Sequence, residues 1–212
     1  MITYSGEKHR ICFFDLETEY LLQELDPEIN RLNFQKKQAR CLKLMPKLNM
    51  AVGCLISNDE ESTALFFEKG EEIELIQTLY EHDLIIGHNV IDFDYHVLSP
   101  HFKVITLQDL QEKTYDTFLK LQEASGNMWL GLDELCRLNL GTRKPLDTLE
   151  VPKLWRSGEK EKVKEYCFND VLMLKKLFLH GKEKGVLKYP IKNHGKQTGV
   201  GELKVPWVDL EF

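Results

Sequence analysis

The stretch "ICFFDLETEY" (11–20) sets Asp15 and Glu17 two residues apart at the end of an apolar run. Two more segments hold acids in distinctive settings. In "GHNVIDFDYHVL" (87–98) Asp94 follows Phe93, and in "EYCFNDVLMLKKLF" (165–178) Tyr166 precedes Asp170 by four residues. Strand residues at i and i+2 project to one face, and helix residues at i and i+4 share one. Each pair therefore presents its polar groups together. Carboxylates crowded into one cleft repel, and their pKa values rise unless a cation neutralises them. Hard oxygen donors with open positions suit Mg²⁺ or Mn²⁺. Two such ions about 4 Å apart can activate a water and stabilise the leaving oxygen of an in-line phosphoryl displacement. A tyrosine hydroxyl one helical turn from a metal-binding aspartate suits the attacking water.

The elements that must position these groups follow from periodicity and turn residues. Residues 11–15 read as a short strand, apolar on both faces and therefore central in a sheet. "MAVGCLIS" and "TALFFE" read as a hairpin joined through "NDEES". "EEIELIQTLY" carries Ile73, Ile76, Leu79 and Tyr80 at helical spacing, "DLIIGHN" is a short strand, and "TYDTF" is a weaker one. "LDELCRLNLG" reads as a helix closed by Gly141. A last long helix is expected from an N-cap near Ser157 to Gly181 or Gly185. The sum is an α/β domain over 1–185, with an insertion at 18–49 that has some helix and two prolines. An irregular Lys/Gly-rich tail is expected over 186–212.

Bulk composition narrows the class. No apolar run approaches the roughly 20 residues of a membrane span, and the first residues lack a signal-peptide core, so a cytoplasmic protein without membrane contact is expected. The five cysteines form no C-x-x-C pair, which implies reduced buried thiols. A net charge of −6 argues against binding nucleic acid mainly by long-range attraction, although lysines dominate between Lys175 and Lys204. His88 and His96 lack the spacing of a transition-metal site and read as loop and helix residues. Aromatics near such a cleft can stack on unpaired bases, but core packing is the more common fate, so Trp129 and Trp155 are expected in the core.

The three acidic segments, taken in order, resemble the motifs of the DEDD 3′→5′ exonuclease superfamily, whose fold is ribonuclease H-like. "FFDLETE" resembles the first motif, "GHNVIDFD" the second (Asn-x-x-x-Phe-Asp), and "YCFND" the third (Tyr-x-x-x-Asp), which marks the tyrosine subgroup, DEDDy. The second motif is most similar to that of the proofreading domain in family B DNA polymerases. "GLDELCRLNLG" resembles the helix that often precedes the third motif. The resemblance implies a mixed sheet flanked by helices, and two divalent cations, Mg²⁺ or Mn²⁺, held by Asp15, Glu17, Asp94 and Asp170. Asp15 would bridge both ions, Tyr166 would orient the water, and Asn89 and Phe93 would shape the cleft around a single-stranded nucleic-acid 3′ end. Motif register favours Asp94 over Asp92. The implied reaction is removal of nucleoside monophosphates from 3′ ends. A different class, a non-catalytic nucleic-acid-binding or scaffolding domain with the same fold, would have no physical need for four mutually repelling carboxylates. The insertion at 18–49 is longer than the family's usual link and is placed to cover or extend the cleft.

Overall fold

A computed structural model describes residues 9–58, 63–143, 147–193, 196–205 and 207. The central strand is β1 (Ile11–Thr18). Its odd residues Ile11 and Phe13 enter one core and its even residues Cys12, Phe14 and Leu16 enter the other. This two-sided burial produces the continuous apolar run in the sequence. The strand passes Asp15 and ends at Thr18, so both acids lie within it rather than at its end.

The insertion folds into α1 (Leu22–Leu25) and α2 (Phe34–Leu44), with single 3₁₀ turns at Ile29–Arg31 and Met45–Lys47. Then come β2 (Met50–Ser57), β3 (Ala64–Glu68), α3 (Glu72–Tyr80), β4 (Leu84–Gly87), α4 (Asp94–Val97), α5 (Leu107–Glu112) and β5 (Thr114–Asp116). Most of the "NDEES" connection lies outside the described residues. The chain continues through α6 (Thr117–Ala124), α7 (Leu132–Leu140), α8 (Val151–Arg156) and α9 (Lys160–Lys184) to β6 (Val186–Asn193) and β7 (Lys196–Lys204). The first five strands form one sheet in the order β3-β2-β1-β4-β5. β1–β2 and β2–β3 are antiparallel, while β1–β4 and β4–β5 are parallel. A five-stranded mixed sheet flanked by helices is the expected α/β architecture, and it is consistent with a ribonuclease H-like fold. Helices α7, α8 and α9 pack on the sheet face of Phe13, and α3 and α4 on the face of Phe14.

Several local expectations are corrected. In α3 the buried stripe is Leu75, Ile76 and Leu79, while Ile73 and Tyr80 are exposed. Tyr80 instead lies under the Lys113 ammonium, 4.1 Å from its ring centroid. Ser157 does not cap α9. It closes α8, its hydroxyl donating to Leu154 O, and Gly158 at φ 89° breaks the chain before Glu159 caps α9. The helix then runs past Gly181 to Gly185, whose left-handed φ of 72° ends it.

Within the described residues most of the tail is not irregular, and the expectation for 208–212 lies outside them. Residues 186–193 and 196–204 pair as an antiparallel ribbon. Its glycines, which suggest loop, are spaces for cross-strand side chains. Tyr189 pairs with Gly201, where a Cβ would meet its ring at 2.6 Å, and Ile191 pairs with Gly199. Leu187 anchors the ribbon in the core, and Asn139 of α7 clasps the Lys188 backbone, accepting from its N–H and donating to its carbonyl, each at 2.8 Å. Among the described residues all five cysteines are free thiols, four of them buried. Within the same residues no helix is long and apolar enough to cross a membrane.

Candidate functional site

The odd face of β1 carries Ile11 and Phe13 into the core against α9, then turns acidic at Asp15 and Glu17. α9 brings Asp170 to that face. Cys167, one turn earlier, fits against the strand with its thiol 3.6 Å from Asp15 O. One carboxylate oxygen from each of Asp15, Glu17 and Asp170 lies within 4.8 Å of the others. Asp170 and Glu17 are buried, at 2% and 8% exposure. At Glu17/Thr18 the register with β2 slips, the kind of bulge that ends pairing and aims side chains beside a site.

Asp94, the first residue of α4 at the end of the neighbouring loop, joins for a reason written in the sheet. β4 pairs with β1 only as far as Phe13, so the Leu16 N–H beyond it needs another acceptor. Asp94 Oδ1 accepts that N–H at 3.1 Å, which fastens the loop to β1 between Asp15 and Glu17. Burial pushes the Asp94 carboxyl well above the usual carboxylate range, and the charge on Asp15 pushes it further. Burial likewise raises the Cys167 thiol, with Cys54 and then Asp15 adding to the effect.

The loop that carries Asp94 is itself held from below by a residue the motif reading did not name. Asp116, at the end of β5 and 2% exposed, accepts from Asn89 N at 2.8 Å and Ile91 N at 3.0 Å. It also caps α6 through Phe118 N and Leu119 N. The signal was present in "TYDTF", where an acid precedes a helix in the N-cap pattern. Gly87 is required here, because a Cβ would meet Val90 at 2.3 Å. Asn89 sits at φ 70°, a left-handed conformation that asparagine tolerates.

These groups line a cleft of ≈ 440 Å³. Asp15, Glu17, Asp94 and Asp170 are in its wall, and Asn89 and Phe93 stand beside them. The insertion contributes Leu21 to the lining. Arg156 ties that segment to α8, donating to Glu24 at 2.6 Å and to Glu19 O. Tyr166 is 1% exposed, behind the lining rather than in it, and its hydroxyl is 2.8 Å from Thr148 Oγ1, which does line the cleft. His88 also lines it, its ring held between Thr117 and Leu130 O. Trp155 is buried as expected, but Trp129 is not: it is 70% exposed at the cleft.

The donor set of three crowded carboxyl groups is all oxygen and fixed by a strand and a helix. It fits a hard divalent cation, which Asp15, Glu17 and Asp170 would hold.

No family model matches the chain, and no curated protein does. The solved structure of the family B DNA polymerase from the hyperthermophilic archaeon Pyrobaculum calidifontis is similar in fold, with a TM-score of 0.50 and 12% sequence identity. The match covers 86% of this chain and 25% of the polymerase chain, so this chain spans about a quarter of that protein's length.

Proposed function

We propose that the protein is a divalent-metal-dependent 3′→5′ exonuclease that hydrolyses phosphodiester bonds at single-stranded nucleic-acid ends. The observation that carries this reading is the convergence of Asp15, Glu17 and Asp170 within 4.8 Å, with Asp94 bonded to the strand between the first two. A buried group of acids on rigid elements is costly unless a cation completes it. The fold likeness to a DNA polymerase and the order of the three motifs support the same chemistry.

When bound, a pair of Mg²⁺ or Mn²⁺ ions supplies a nucleophilic water at neutral pH and counter-charge for the leaving oxygen. The chain's own residues do the rest. Asp15 and Glu17 fix the ligand geometry from β1, Asp170 closes it from α9, and Asp94 adds the fourth carboxylate from the loop. Asn89 and Phe93 border the position of the terminal nucleotide. Tyr166 shares its hydroxyl with Thr148 at 2.8 Å, and accepting from Thr148 leaves the phenol proton for an attacking water, so Thr148 orients the phenol.

The test is gel-resolved digestion of 5′-labelled single-stranded DNA and RNA with Mn²⁺, beside the Asp15→Ala protein and an EDTA control. A ladder of shortening products from the wild type alone is expected. Equal cleavage by Asp15→Ala, or none by the wild type on either polymer, overturns the assignment.

A further inference from the structure

Building on the nuclease reading, we propose that Trp129 is a fixed stacking platform for an unpaired base of the single-stranded substrate. A tryptophan 70% exposed is unusual unless something covers it, and this one stands in the lining of the same cleft as the acids. It is not a loose side chain on a mobile tip. Leu130, the next residue, is 2% exposed, and its carbonyl faces His88 Nε2 at 3.1 Å. On the other side Met128 N donates to Ser125 Oγ at 3.2 Å and Asn127 N to Gln122 O at 2.8 Å. The buried Phe118 ring meets the indole edge-on, with centroids 4.6 Å apart and planes at 63°. His88 in turn meets Phe118 edge-on at 5.5 Å. The indole is therefore braced from within while most of its surface remains in solvent.

The occupant follows from the chemistry of the two walls. The acid wall engages phosphate only with divalent cations present, and a chain of net charge −6 adds no long-range attraction for a polyanion. Affinity for the strand must come largely from contacts that ignore charge, and every base offers a flat face to an indole. A duplex end keeps its bases stacked on one another, so the platform selects unpaired ends.

The experiment follows indole fluorescence, with Ca²⁺ present to neutralise the carboxylates, during titration with octathymidylate DNA, octauridylate RNA or an abasic octamer of equal charge. Trp129 dominates any change on binding, since Trp155 is buried and Trp207 half-buried. Quenching by the base-bearing octamers and not by the abasic one is expected. Because these substitutions remove the reporter indole, variant affinity is read from the anisotropy of 5′-fluorescein-labelled octamers: Trp129→Ala should weaken binding of the base-bearing octamers by about 5- to 150-fold, the span of base–aromatic stacking, and Trp129→Phe should restore part of it. In Mn²⁺-dependent hydrolysis the alanine variant should raise KM and leave kcat within about twofold, because a stacking contact made equally in ground and transition states affects binding alone. Equal response to the abasic octamer, absence of quenching, or unchanged affinity in Trp129→Ala overturns the platform. Hydrolysis with unchanged KM in that variant removes the platform and keeps the nuclease. Base-dependent quenching without hydrolysis removes the nuclease and keeps the platform.

Discussion

Glu68 on β3 and Asp94 beside β1 titrate in opposite directions, and the contrast separates two uses of acidic residues in one molecule. Glu68 lies at the outer edge of the sheet, where Lys160 and Lys164 of α9 each approach within 2.7 Å. Hydrogen bonds to these lysines hold its carboxyl below the usual range. Asp94 is buried, and the charge bearing on it most strongly is another acid, Asp15, so its carboxyl is held above that range. One region is complete within the chain. In the other, acids face acids, an arrangement that a divalent cation could complete.

The contrast is broken most severely by removing an acid from the cleft. Asp15→Ala is expected to lower kcat by at least about 10³-fold in steady-state cleavage, with a smaller change in KM, because the missing group acts on the transition state. Next in size is the support beneath the loop. Asp116→Ala leaves four backbone N–H groups without their buried acceptor and should cost about 2–3 kcal/mol, a fall of roughly 5–10 °C in Tm by calorimetry. An unchanged Tm would mean that those amides find other partners.

Asp94→Asn sharpens the comparison through pH. A carboxyl whose folded pKa is raised binds its proton more tightly in the native state than in the unfolded one. Its stabilising contribution is therefore present at low pH and declines as pH rises from about 4 through the raised folded value. In EDTA, thermal unfolding should find wild type and Asp94→Asn close in stability below that window. Above it the variant should be more stable by about 2–4 °C in Tm, the shift that ~1 kcal/mol gives a chain of this size, and it should be inactive. A variant no more stable than wild type at pH 8 would sink the idea that repulsion at the cleft opposes folding. The smallest effect is expected at the compensated site. Lys160→Ala should change stability by less than about 1 kcal/mol and leave cleavage untouched, since the pair is solvent-exposed.

Local periodicity is why the acids could be found before the fold was known. Asp15 and Glu17 share a strand face by the two-residue repeat, and Tyr166 and Asp170 share a helix face by the four-residue one. The mixed sheet followed from strands and helices that alternate along the chain. What sequence patterns missed depends on distant partners. Gly199 and Gly201 look like loop residues until Ile191 and Tyr189 are placed opposite them. Gly181 resembles a helix end, yet it lies inside α9 because Trp207 packs where a Cβ would be, at 2.1 Å. Trp129 has the composition of a core residue, and only the positions of Phe118 and Leu130 decide that it faces solvent. Tyr166 stands four residues from Asp170 as its motif requires, but its hydroxyl engages Thr148, a contact no spacing rule contains.

The distance along the chain between β1 and α9 has a consequence for how the protein is made. Asp15 leaves the ribosome before Asp170, which follows 155 residues later (170 − 15). The parallel pairing of β1 with β4 also needs a long crossover, a non-local closure of the kind that slows folding. A nascent chain stopped before α9 holds Asp15, Glu17 and Asp94 but lacks the element that gathers two of them with Asp170. Capacity for a divalent ion thus arrives only with the finished fold, and any ion bound there shifts the folding equilibrium toward completion by mass action.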